Sequence, residues 1–317
     1  MMRRFGFVCA AFLCLAAGPA LAEAPACTGN DLLAQMREDD SESYAALRAE
    51  ADAIPNNRGL LWKIEPPNGA APSHLFGTVH VTDPRVHDLS APVQAALDGA
   101  STVIVESSEA LTAADMARHM FKVASLMVLP GTQTLDDVVP GDDLAAVKAF
   151  YEEQGGYEAH FKFRPYMLAM ALSYAPCEAA RQMEGLPSLD AAIARQYKPH
   201  EAELAGLETL VEQFTSMSDM PMPDQVDWLL QAIRLRAGID DMTETLVRLY
   251  LAQETGMLLA WSRNMTIRHG TQATWASFKS LLLDTRNKRM AERAIPFIDK
   301  GNAFIAVGAL HLPGENG

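Results

Sequence analysis

Past its first 22 residues this sequence has no apolar run near the ~20 residues that a membrane-spanning helix requires, few cysteines and a deficit of positive charge. No transmembrane span is therefore expected in the mature chain. Only 26 lysines and arginines face 40 aspartates and glutamates, which disfavours nucleic acid and anionic membrane surfaces as partners. Gly-x-Ser-x-Gly, Walker, dinucleotide-binding and His-Glu-x-x-His motifs are missing, so serine-hydrolase, nucleotide-binding and ordinary zincin chemistry lack support. No cysteine belongs to a Cys-x-x-Cys or Cys/His cluster, which argues against a thiolate metal site.

What is present begins with Arg3 and Arg4, an apolar stretch from Phe5 to Leu21, and the small-residue end Ala20-Leu21-Ala22. This is the pattern of a secretory signal peptide over residues 1–22, and it implies export to the periplasm. Cleavage removes two basic residues, leaving 24 against 40 acidic ones and a formal charge of −16. It also removes Cys9 and Cys14. Cys27 and Cys177 remain, and in an oxidising compartment such a pair is a disulfide candidate. With 317 residues, 49% of them hydrophobic, the chain can bury a sizeable core.

Periodicity predicts a helix over 30–52, a strand over 59–65 and a second strand in "HLFGTVH". A short helix capped by Ser90 leads to "ASTVIVESS", whose four consecutive β-branched residues read as a buried strand ending at Glu106. Strand, helix and strand in that order favour a parallel pair. From about 112 to 299 the pattern is mostly helical, with one short strand at 201–207, and its many methionines read as core filler. "NAFIAVGALH" then returns a strand to the sheet. The expected fold class is α/β: residues 23–317 form one domain with a central, mostly parallel sheet, surrounding helices and a large helical insertion.

Chemistry in such sheets collects beyond the carboxyl ends of the strands. Two Gly-x-x-His motifs stand there, Gly77 to His80 and Gly308 to His311, and Glu106 ends the strand between them. Glycine permits a backbone conformation or a close approach that a Cβ blocks. Two imidazoles and a carboxylate form a recurring ligand set for a divalent metal, so His80, Glu106 and His311 are candidate ligands. The metal-free alternative makes one histidine a general base, with Glu106 orienting it or a water. Arg286, next to Asn287, is a candidate cation for developing negative charge, although neighbouring Lys288, Arg289 and Arg293 equally suit a solvated helix face. His87 lies in the loop after the first motif and is a weaker candidate for the pocket.

These motifs, with "LFGTVHV", "VIVE", "RPY" at 164–166, "RNKRMA" at 286–291 and "VGALHLPGENG", resemble the TraB/GumN family, which includes the Tiki proteins. The resemblance implies an α/β fold similar to erythromycin esterase and to a haem-associated lipoprotein fold. It also implies a metal-dependent peptidase using manganese or cobalt, with zinc as a further candidate, and carries functional roles to His80, Glu106, Arg286 and His311. Family members continue past the last motif through a helix and a final strand, whereas this chain stops at Gly317. A truncated sequence or a missing sheet edge is therefore expected, with the loop after His311 unanchored. The function expected is that of an exported metal-dependent hydrolase with a peptide or small-molecule substrate. The alternative is a non-catalytic protein that sequesters a peptide or ligand in the same pocket.

Overall fold

The computed structural model describes residues 27–109, 113–196 and 203–317. The expected signal peptide, residues 1–22, lies outside them, as do Thr112, His200 and the first two residues of the expected strand at 201–207. Among the described residues no helix is long and apolar enough to cross a membrane.

Five strands form one sheet: β1 (Leu61–Ile64), β2 (Ser73–Thr78), β3 (Thr102–Val105), β4 (Glu203–Gly206) and β5 (Ala303–Gly308). Their order is β1-β2-β5-β3-β4. Only the edge pair β1 and β2 is antiparallel; β2, β5, β3 and β4 run parallel. The fold is thus α/β with a mostly parallel sheet. β2 and β3 run in the same direction, but they are not the adjacent pair that their sequence order favours, because β5 lies between them. The reason is burial. All six residues of β5 are buried, and a strand apolar on both faces gains most at the sheet centre. Phe304 on β5 is fully buried, with its ring 5.8 Å from that of Phe76 on β2.

Helical periodicity runs through two breaks that the backbone enforces. The predicted helix over 30–52 is two helices, Leu32–Asp39 and Ser41–Ala53, because Asp40 leaves helical geometry and its carboxylate accepts the Ser43 N–H. The stretch from Asp240 to Arg263 likewise divides between helices Ile239–Leu251 and Thr255–His269, with Gln253 at φ 57° in the turn. Near the end of the chain a π-helical segment, Phe278–Asp284, runs into the helix Thr285–Lys300 that carries Arg286.

Cys27 and Cys177 form a disulfide that closes 150 residues of chain. It anchors the helix Pro176–Met183, whose Glu178 is fully buried and accepts both the backbone N–H and the hydroxyl of Thr82, each at 2.7 Å. The loop that carries His80 is therefore pinned two residues downstream. Replacing both cysteines by serine is expected to lower the unfolding free energy by about 2–5 kcal/mol in urea titrations. Unchanged stability would show that the cross-link constrains little.

Candidate functional site

The four parallel strands all end on one rim, and each delivers a polar side chain there. β2 leads to His80, β3 to Glu106, β4 to Glu208, and β5 to the turn Ala309–His311. Space for them comes from the two glycines of the repeated motif. A Cβ on Gly77 would stand 2.6 Å from Leu312 Cδ1 and 3.2 Å from Ala309 Cα, so its absence seats the turn that carries His311. A Cβ on Gly308 would stand 3.1 Å from Glu106 Oε1, 3.5 Å from His311 Cδ2 and 3.7 Å from His80 Nε2. Three side chains from distant parts of the chain thus surround one point. Gly77 makes room for the turn of the second motif, and Gly308 makes room for Glu106.

Glu106 is buried and well bonded. Its Oε1 accepts the Gly308 N–H at 2.6 Å, and its Oε2 accepts Arg286 Nη2 at 2.6 Å. Burial works to raise its pKa, but the charges of Arg286 and His80, the Gly308 N–H and, in the acid range where His311 is itself protonated, the charge of His311 outweigh it and hold the carboxyl far below its ordinary range. Arg286 is held in turn by Glu208, whose Oε2 accepts Nε at 2.8 Å and Nη2 at 2.7 Å while its Oε1 accepts Arg289 at 2.9 Å. The Glu208 side chain is wholly buried, so Arg286 spans two interior carboxylates.

His311 is buried, with Nε2 3.3 Å from Arg286 Nη1 and 3.7 Å from Glu106 Oε1. A guanidinium can only donate, so Nε2 carries a lone pair. Nδ1 then holds the hydrogen and donates it to Asn287 Oδ1 at 2.5 Å. The Asn287 amide donates its own hydrogens to the carbonyls of His311 and Asn316, at 3.3 and 2.7 Å, which fixes its oxygen toward the ring. With Gly314 bonded to the Pro55 carbonyl at 2.8 Å, these contacts anchor the loop after His311, contrary to the expectation that it hangs free. Burial, reinforced by Arg286 and His80, pushes the His311 pKa down to about 4.

His80 behaves oppositely. Its Nδ1 lies 2.8 Å from Asp190 Oδ2, and that carboxylate raises its pKa to about 9. Its side chain is 57% exposed, so water screens part of the attraction. The rim thus holds one neutral and one protonated imidazole at neutral pH.

Two polar partners were not read from the sequence. Glu208 follows the short strand β4 as Glu106 follows β3, and the same strand-end rule points to it. Asp190 carries no such signal, since it sits in the first turn of the helix Leu189–Gln196, where acids are commonplace. His87 is not part of the cluster; its Nε2 is buried without a partner, and burial lowers its pKa. A cavity of about 830 Å³ between the helix Thr285–Lys300 and the sheet residues Ile64, Leu75 and Val307 touches the cluster only at His311 and Asn287.

The donors suit a divalent metal in kind, being two imidazoles and a carboxylate; His80 presents Nε2 to the shared point and His311 presents Cδ2, its Nε2 facing Arg286. As the side chains stand, however, no group of three His, Cys, Asp or Glu residues among those described is set to hold an ion. Glu106 is engaged by Arg286 and Gly308 instead.

Opposite shifts of the two histidines give stability a maximum near pH 6.5, the ordinary histidine value. As pH falls from there toward 4, the unfolded chain takes up a proton that buried His311 refuses, at a cost on the order of 3 kcal/mol. The contribution of His80 is complete below its unfolded value and is lost as pH rises through about 9. Urea unfolding across pH should therefore trace a dome whose alkaline limb flattens in His80→Gln. A limb unchanged by that substitution contradicts the assignment.

No solved structure matches this chain. Among curated proteins, Metalloprotease TIKI1 of Danio rerio is 24% identical over 305 residues, covering 81% of this chain and 60% of its own length. Metalloprotease TIKI2 of Danio rerio is 23% identical over 306 residues, covering 81% of this chain and 58% of its own length. This chain thus spans somewhat under two thirds of each of these relatives. The TraB/PrgY/gumN family matches residues 60–317, from the start of the sheet through both Gly-x-x-His motifs, and this chain belongs to that family.

Proposed function

We propose that this protein is an exported metal-dependent hydrolase acting on peptide bonds, with a divalent manganese, cobalt or zinc ion held by His80, His311 and Glu106. The observation that carries this reading is the convergence of His80 Nε2, the His311 ring and Glu106 Oε1 on one point over Gly308. The names of the two Danio rerio metalloproteases support it by similarity. When bound, such an ion polarises a carbonyl and lowers the pKa of its water toward neutrality.

In this reading the chain's own groups divide the remaining work. His311 would lose no proton on binding an ion, because Asn287 already takes the Nδ1 hydrogen, but its Nε2 would have to exchange the Arg286 contact for the ion. His80 must first release the Nε2 proton that Asp190 helps it retain, so ion binding competes with protonation. Arg286 lies 2.6 Å from Glu106 and is fixed by Glu208, which gives a positive charge already oriented toward the cluster for a developing oxyanion. Glu106 is either the third ligand or the base for a bound water. Residues 1–22 serve as the cleaved signal, and the Cys27–Cys177 disulfide suits the oxidising periplasm.

A ligand-sequestering role is the second reading, favoured by the large cavity that touches the cluster only at its edge. The two separate on turnover. The protein beginning at residue 23 should bind manganese, cobalt or zinc by calorimetry and then cleave an unstructured peptide, and His80→Ala and His311→Ala should each lower turnover at least about 100-fold. Metal affinity and hydrolysis unchanged in both variants would falsify the site; metal binding without turnover would favour sequestration.

A further inference from the structure

We propose that the Cys27–Cys177 disulfide is a redox switch for the loop that carries His80: its reduction by a dithiol frees the helix Pro176–Met183, and with it the Glu178 carboxylate that pins Thr82. The first observation is how that helix is held. The residues it buries are Cys177, Glu178 and Arg181, while Met183, its only large apolar side chain, is 84% exposed. The helix is fastened by the cross-link and by polar contacts, and an element with so little apolar burial opens at low free-energy cost. The second observation is where its contacts lead. Glu178 accepts the N–H and the hydroxyl of Thr82 on one oxygen, each at 2.7 Å, and Arg181 Nη1 on the other at 3.3 Å. Cys27 belongs to a segment fixed on the helix Ile239–Leu251, where the Asn30 N–H donates to Asp241 at 2.7 Å and the Leu32 N–H to Thr245 at 2.9 Å. The disulfide thus bolts a lightly held helix to a fixed segment.

The surroundings suit both sulfurs to leave as thiolates. Cys177 is the second residue of its helix, and Ala175 supplies no side-chain cap, so the free N–H groups of the first turn favour a thiolate there. Arg181 Nη1 lies 3.7 Å from Cys27 Sγ. Its charge is shared with Glu178 and, at 4.0 Å, with Asp83, so a Cys27 thiolate competes with Glu178 for the same guanidinium. Cys27 is the more exposed of the pair. A thiolate of the dithiol therefore attacks Cys27 Sγ, the S–S bond breaks, and its electron pair leaves on Cys177. The second thiol of the reductant then attacks the reductant's own sulfur in the mixed disulfide and expels Cys27 as a thiolate beside Arg181. Two electrons pass from the dithiol, which closes to a disulfide, and its two protons go to the cysteine thiolates or to water.

The test uses the protein beginning at residue 23, treated with dithiothreitol in native buffer and then with iodoacetamide to block the freed thiols. Amide hydrogen exchange is compared between the oxidised and reduced forms without metal. Both cysteines are expected to be alkylated while the circular dichroism stays native. The Thr82 amide should exchange at least about tenfold faster in the reduced form, with the amides of β5 unchanged. Arg181→Met should slow the reduction, and Arg181→Lys should restore most of the wild-type rate. A disulfide that is reduced only once urea unfolds the protein overturns the proposal, as does Thr82 exchange unchanged by reduction; neither measurement needs a variant. The consequence for the site rests on the reading of His80 as a site residue: cobalt affinity should fall at least about tenfold on reduction. Cobalt bound equally by both forms overturns control of His80. Faster Thr82 exchange in a protein that takes up no cobalt in either form supports the switch and counts against the metal reading.

Discussion

An ionised carboxylate buried at the centre of a sheet rim is costly, and the structure around Glu106 is organised by that cost. Removing one partner of such a buried pair typically costs about 3–5 kcal/mol, because the other charge is left uncompensated. Glu106 meets this demand with the Gly308 N–H on one oxygen and Arg286 on the other. Arg286 is itself buried and brings a second interior carboxylate, Glu208, which requires Arg289. Four charges drawn from β3, β4 and the last helix therefore stand or fall together. The result is a fixed field at the rim, in which His311 remains neutral although a carboxylate oxygen lies 3.7 Å away.

The repeated Gly-x-x-His pattern gains its meaning from this field. In three dimensions Gly77 admits the turn that bears His311, and Gly308 leaves room for Glu106, with the rings of both His311 and His80 close by. Adjacency of β2 and β5 brings the two motifs together, since Gly77 and Thr78 lie in register with Val307 and Gly308. The two imidazoles then differ in state because His311 is buried beside Arg286 whereas His80 faces the Asp190 carboxylate. A pair so arranged holds one lone pair engaged by Arg286 and one exchangeable proton.

Much of this was legible in the sequence because strand ends are legible. The runs "TVIV" and "AFIAV" are apolar on both faces, and each delivers its polar residue directly past the end, which located Glu106 and His311. The order of strands was not legible, because the central place of β5 depends on how well its two apolar faces are covered, not on its position in the chain. Helix breaks at Asp40 and Gln253 escaped for a related reason, as apolar periodicity continues across them. Arg286 could not be told from a solvated helix face by residue type, because its burial depends on Glu208, 78 residues earlier. Asp190 was invisible, since nothing local distinguishes it from a helix-turn acid.

The central claim is that Glu106 stays ionised inside the protein because Arg286 and Gly308 hold it so. The most direct measurement is the ¹³C shift of its side-chain carboxyl carbon, assigned by comparison with Glu106→Gln and followed as pH is lowered. The expected result is an ionised carboxylate through and below the ordinary glutamate range of about 4.3, for as long as the protein remains folded. Protonation at or above that value would contradict the account.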